Sequence, residues 1–102
     1  MKAICEKYLN EQFGGDADIV AEIYAEYASS SRAKISDAAA ELAAGEWGAL
    51  DRTAHTLKGN ALAAGDQESV DAAIALRAAA KARDRGESAA LVARLKELAA
   101  VL

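Results

Sequence analysis

His55 is the only histidine in this 102-residue chain, and it stands within the stretch WGALDRTAHTLKGNALAAG, residues 47–65. An imidazole titrates near neutral pH and, when neutral, offers a lone pair that can attack an electrophile. Lys58 follows one helical turn later. A cation at that spacing can offset the negative charge the ring gains when it takes up an anionic group such as phosphoryl. Gly59 comes next, although glycine in a helix interior is worse than alanine by roughly 1 kcal/mol. The chain uses alanine freely, so a glycine there points to a need for empty space, such as room for another protein to come close.

The helical turn of about 100° per residue sorts this stretch into two faces. With His55 at zero, Leu57 lies about 160° away, Leu50 about 140° and Ala64 about 180°. Ala54 and Ala61 fall on the same far side, which makes a buried stripe of Leu50, Ala54, Leu57, Ala61 and Ala64. His55 therefore points to solvent. Lys58 and Gly59 lie within about 60° of it, and Leu62 is nearly in line with it two turns on. Asp51 and Arg52 sit one turn before. Leu62 adds an exposed apolar spot, as a docking surface would. Each of these residues also has a plainer reading. Lys58 is ordinary solvated charge, Gly59 serves close helix packing, and Leu62 is a stray surface leucine. Asp51 either pairs with the protonated ring as a surface ion pair or orients the imidazole.

Composition limits what could surround this site. The length fits one domain over 1–102. Proline is absent, alanine is abundant, and β-branched and aromatic residues are scarce, which argues for an all-α domain. The net charge of −4 argues against nucleic acid as a partner. No apolar run reaches bilayer length, and charges interrupt the first residues, MKAICEKYLNEQ, where a signal peptide would be apolar. No membrane partner and a cytoplasmic location are expected. Cys5 is the only cysteine, so no intramolecular disulfide forms, and it reads as a small, partly buried apolar residue. A single histidine is a thin ligand set, so no metal site is expected on this chain.

Glycines punctuate the elements. Gly14 and Gly15 end a short helix near 2–12. Asp16 or Asp18 caps a long helix over roughly 17–44, which Gly45 stops, and Ser29, Ser30 and Ser31 interrupt its apolar pattern as a bend would. The second helix spans about 46–64 and ends at Gly65. Asp66 is the expected N-cap of a third, 67–84, ended by Gly86. Ser88 is the expected cap of a fourth, 88–101, in which Leu91, Leu95, Leu98 and Leu102 repeat as a bundle seam. The third helix is apolar nearly all round, so no buried face can be chosen for it. The sum is an antiparallel four-helix bundle with a short additional N-terminal helix across one end.

The run His55-Thr56-Leu57-Lys58-Gly59, followed by Gly65, resembles the signature of histidine phosphotransfer (HPt) domains of multistep phosphorelays in two-component signalling. That pattern is His, any residue, an apolar residue, Lys, Gly, and a second Gly further on. The stretch GEWGALDRTAHTLKG is similar to the approach to the family's histidine, and FGGDADIV to the start of its long first bundle helix. Leu62 departs from the pattern, standing where the family often has a small residue. The third helix matches poorly, so no role carries over to Arg77.

The resemblance implies that His55 accepts a phosphoryl group on Nε2 from the phosphoaspartate of a receiver domain and passes it to another response regulator. It implies Lys58 for phosphate electrostatics, Gly59 for close partner approach, and Asp51, Arg52 and Leu62 for docking. Partners would be response-regulator receiver domains and a hybrid histidine kinase. No cofactor is expected on this chain, and Mg²⁺ is expected on the receiver. The chain has no Gly-rich phosphate loop, so it reads as a phosphocarrier without an ATP site rather than an enzyme. The competing reading is a non-catalytic helical-bundle module that binds and regulates a kinase or receiver domain. A metal-dependent or hydrolytic enzyme lacks any visible nucleophile–base–orienter set.

Overall fold

The computed structural model describes residues Met1–Leu102 as five helices: α1 (Ala3–Gln12), α2 (Ala17–Ala44), α3 (Trp47–Ala64), α4 (Gln67–Lys81) and α5 (Arg85–Ala100). The Asp16 carboxylate starts α2, with Oδ1 accepting from the backbone N–H groups of Asp18 and Ile19 at 3.2 Å each. The helix then runs unbroken through Ser29–Ser31, so the serines mark no break; Ser31 is itself buried. Gly45 closes it at φ 69° in the left-handed region.

The four long helices form a closed ring of neighbours, α2 against α3, α3 against α4, α4 against α5 and α5 against α2, with α3–α4 the most extensive pair. Short turns make each successive pair antiparallel. Every member of the expected α3 stripe, Leu50, Ala54, Leu57, Ala61 and Ala64, is buried. The buried face of α4 is Val70, Ala72, Ala73, Leu76, Ala79 and Ala80. Alanines there let α4 approach its neighbours closely, and Ile74 is left half exposed. No helix is long and apolar enough to cross a membrane.

The start of α5 corrects the expectation for its cap. Asp84, not Ser88, is the N-cap, and its Oδ1 accepts from Glu87 N–H at 3.0 Å. Gly86 lies inside the first turn rather than ending α4, which stops at Lys81. Arg83 takes the positive φ of 52° in the connection. Ser88 is fully buried in α5, and its hydroxyl has no partner. The apolar seam of α5 is Val92, Leu95, Leu98 and Ala99, with Leu91 and Leu102 partly buried beside it.

Asp66 occupies the N-cap position of α4, but its side chain caps no backbone N–H. Instead its fully buried carboxylate accepts from Lys2 Nζ at 2.8 Å, Tyr27 OH at 2.7 Å and Ser69 Oγ at 3.0 Å. One charge thus joins α2, α4 and the segment just before α1. Gly65, beside it, has φ 68°, and a Cβ there would collide with the Tyr8 ring of α1. α1 therefore seals the end of the bundle where α3 turns into α4. Cys5 is buried at this end, and burial, with the Asp66 charge adding, pushes its thiol up to about 11. That makes it an inert apolar residue.

Burial alone would raise the Asp66 pKa, but hydrogen bonds from Lys2, Tyr27 and Ser69 outweigh it and leave the carboxyl below its ordinary value. A depressed folded-state pKa stabilises the fold above the unfolded value, and that stability is lost as pH falls through the lower folded one. Asp66→Ala, which strands Lys2 and Tyr27, is expected to lose about 3 kcal/mol or more at neutral pH. Urea denaturation across pH 2 to 7 should show a steeper acid loss in the wild type than in this variant, whose curve lacks the Asp66 contribution.

Candidate functional site

The site is built on the solvent face of α3. Two side-chain hydrogen bonds tie the flanks of that helix to α2: Thr53 Oγ1 donates to Glu41 Oε1 at 2.6 Å, and Asn60 Nδ2 donates to Ser30 Oγ at 3.1 Å. With Leu50, Ala54, Leu57 and Ala61 inward, His55 is exposed near the middle of the helix. Gly59 is exposed one turn on, and Leu62 is half exposed beyond it. Lys58 is partly buried on the α4 side. It lines a shallow groove with Ile74, Arg77, Ala78 and Lys81.

Three of these residues are joined by contacts. Arg77 of α4 reaches across to α3, where Nη1 lies 3.1 Å from His55 Nδ1 and Nε donates to Asp51 Oδ1 at 3.0 Å. Asp51 therefore pairs with Arg77 rather than with the ring. Arg52 is exposed and leans back toward Gly48, away from the imidazole. Gly59 serves no internal packing, since a Cβ there would meet nothing within 4 Å. Lys58, Leu62 and Gly59 share the His55 face without touching the ring through any hydrogen bond. No group of three or more His, Cys, Asp or Glu side chains is gathered into a metal-binding arrangement.

Arg77 is the residue that sequence reasoning left without a role. A signal for it existed. His55 and Arg77 are almost equidistant from the Gly65–Asp66 turn, so an antiparallel α3–α4 pair brings them to the same height. The missing information was which face of α4 turns toward α3, and its alanine-rich sequence does not declare that.

The arrangement is an exposed ring with one nitrogen covered by a guanidinium, a lysine alongside, and a bare helix surface next to it. The family model of the Hpt domain matches residues 22–102, which contain every residue of this site. The chain belongs to the Hpt family. As an HPt domain it serves histidine phosphotransfer in phosphorelay signalling, with receiver domains and histidine kinases as its class of partner. HPt domains are phosphocarriers rather than catalysts. Helix α1, which seals the Asp66 end, lies outside the matched residues. Neither a curated protein nor a solved structure matches the chain.

The open space at Gly59 leaves room for a side chain on α3 of this HPt domain. Gly59→Ala adds a helix-favouring residue without a clash and is expected to raise stability by roughly 0.5–1 kcal/mol. Thermal denaturation of the two proteins checks this. A loss of stability would mean that the helix face is more crowded than the backbone shows.

Proposed function

We propose that His55 is the phosphoryl acceptor, taking the group on Nε2 from a receiver-domain phosphoaspartate and handing it to another response regulator. The observation that carries this is the placement of the ring. It is the chain's one imidazole, and it is exposed on the face that carries Lys58 and the open surface at Gly59. In the step itself the Nε2 lone pair forms an N–P bond while the P–O bond to the partner's aspartate breaks, its electron pair remaining on that carboxylate. Mg²⁺ belongs to the receiver, where it offsets charge on the phosphoryl oxygens. Lys58 and Arg77 supply cations from this chain.

Docking follows from the same face. The absent side chain at Gly59 lets a receiver approach the ring, with half-exposed Leu62 giving apolar contact and Asp51 and Arg52 at the margin. A hybrid histidine kinase is the proposed origin of the phosphoryl group. Its sequence offers no Gly-rich phosphate loop, and in this reading the chain passes the group on without independent turnover.

Incubation with phosphorylated receiver domains should place label on this protein that is lost in acid and survives base, as a phosphoramidate does. His55→Gln should take up none while still binding the receiver. Label that resists acid, or that persists in His55→Gln, would overturn the assignment. Gly59→Ala should slow transfer despite its added stability, because the new methyl group stands where the partner must come close.

A further inference from the structure

Arg77 touches both the ring and Asp51, and the donor and acceptor roles in those contacts are dictated by chemistry. A guanidinium carries five N–H donors and no acceptor. Its Nη1, 3.1 Å from His55 Nδ1, makes a hydrogen bond only when Nδ1 presents its lone pair. In the neutral ring the proton then sits on Nε2. The same guanidinium is steadied by Asp51, whose Oδ1 accepts from Arg77 Nε at 3.0 Å. Attack through Nε2 needs the reverse: a lone pair on Nε2 and the proton on Nδ1.

We propose that Arg77, steadied by Asp51, is a positioning residue that holds His55 in the tautomer unable to attack through Nε2, so that phosphoryl uptake requires Arg77 to leave Nδ1. This rests on the reading of His55 as the acceptor. On release, the ring proton passes through solvent from Nε2 to Nδ1. The Nε2 lone pair then forms the N–P bond, the P–O bond to the partner's aspartate breaks with its electrons left on that carboxylate, and the proton stays on Nδ1. Asp51, one turn before His55 on the same face, is the carboxylate placed to accept from Nδ1–H once Arg77 has let go.

The groove beside the ring gives the trigger. Lys58, Arg77 and Lys81 line it together. Three cations in one groove repel one another, which favours Arg77 on Asp51 and the ring while no anion is present. An incoming phosphoryl group reverses that balance and draws the guanidinium off Nδ1. The ring is therefore silent toward stray electrophiles and becomes a nucleophile when an anionic donor arrives.

The chain has one histidine, so its ring gives a single pair of ¹⁵N resonances. At a pH where the ring is neutral, the wild type should show the Nε2–H tautomer in excess of a blocked histidine peptide. Arg77→Met should fall back to the peptide ratio. Arg77→Gln adds an acceptor that arginine lacks, and its share of Nδ1–H is read from the same resonances. Both variants lack the cation, so single-turnover transfer from a phosphorylated receiver domain compares them fairly. The two transfer rates should stand in the ratio of the two Nδ1–H shares. A wild-type ratio equal to the peptide's, or transfer rates that do not follow those shares, would overturn the gate and leave His55 as acceptor untouched. A held tautomer in a wild-type protein that never takes label would instead sink the acceptor reading, and the gate with it.

Discussion

The closed end of the bundle, where α1, α2 and the start of α4 meet, is organised around a carboxylate that has no exposure to water. Asp66 sits at the first position after the α3 turn and gathers Lys2, Tyr27 and Ser69 around it. A buried ion is unfavourable unless every lone pair is answered, and here both oxygens accept. The geometry that satisfies it is narrow: the turn must hold Gly65 in the left-handed region, Tyr8 must lie against that turn, and Tyr27 must face inward from α2. Those conditions hold the Gly65–Asp66 turn, from which α4 runs back along α3. His55 stands about three turns from that turn, and Arg77 of α4 meets it there.

The α3 helix was legible in the sequence because its two faces differ in kind. Leu50, Ala54, Leu57, Ala61 and Ala64 recur at helical spacing, and that stripe alone sends His55 outward. The glycines at 45 and 65 were legible for a different reason: positive φ is a local backbone demand that few residues besides glycine meet without strain. The α4 helix defeated the same reasoning. Alanine fits both a buried and an exposed position, so a helix built largely of it has no stripe to read. Its orientation is set by neighbours, and Arg77 became visible only once the helix was in place. At α5 two competing polar signals misled. Ser88 resembles a cap, but Asp84 lies earlier and its carboxylate meets the free N–H of Glu87 first. Asp66 misled more subtly, since it stands at a cap position and spends both oxygens on tertiary partners.

Gly59 and Gly65 illustrate how one residue type answers unlike demands within a single helix hairpin. Gly65 is required by the molecule itself, through its φ of 68° and the Tyr8 ring against it. Gly59 is required by nothing inside the molecule: its φ is helical and the space beyond it is open. A residue that weakens its own helix and relieves no internal contact has no explanation inside the chain, which supports the proposed approach of a receiver at this face. Leu62 on the same face makes the same point, since half of a large apolar side chain is left in water. The two together fit the docking face proposed for the receiver.

The charge distribution completes that argument. Overall the chain carries −4, which by itself would repel the acidic, phosphorylated partner the site is proposed to meet. Exposed charges are screened beyond roughly 8 Å at physiological salt, so docking responds to the groups near the ring rather than to the total. Those groups are Lys58, Lys81 and Arg77, and the nearest carboxylate, Asp51, is already engaged by Arg77. The local field at His55 is therefore opposite in sign to the net charge of the molecule. A patch of that kind suits the anionic reaction centre proposed to dock there. In that reading net charge and site charge work on different parts of recognition: the first discourages contact in general, and the second admits it at one imidazole.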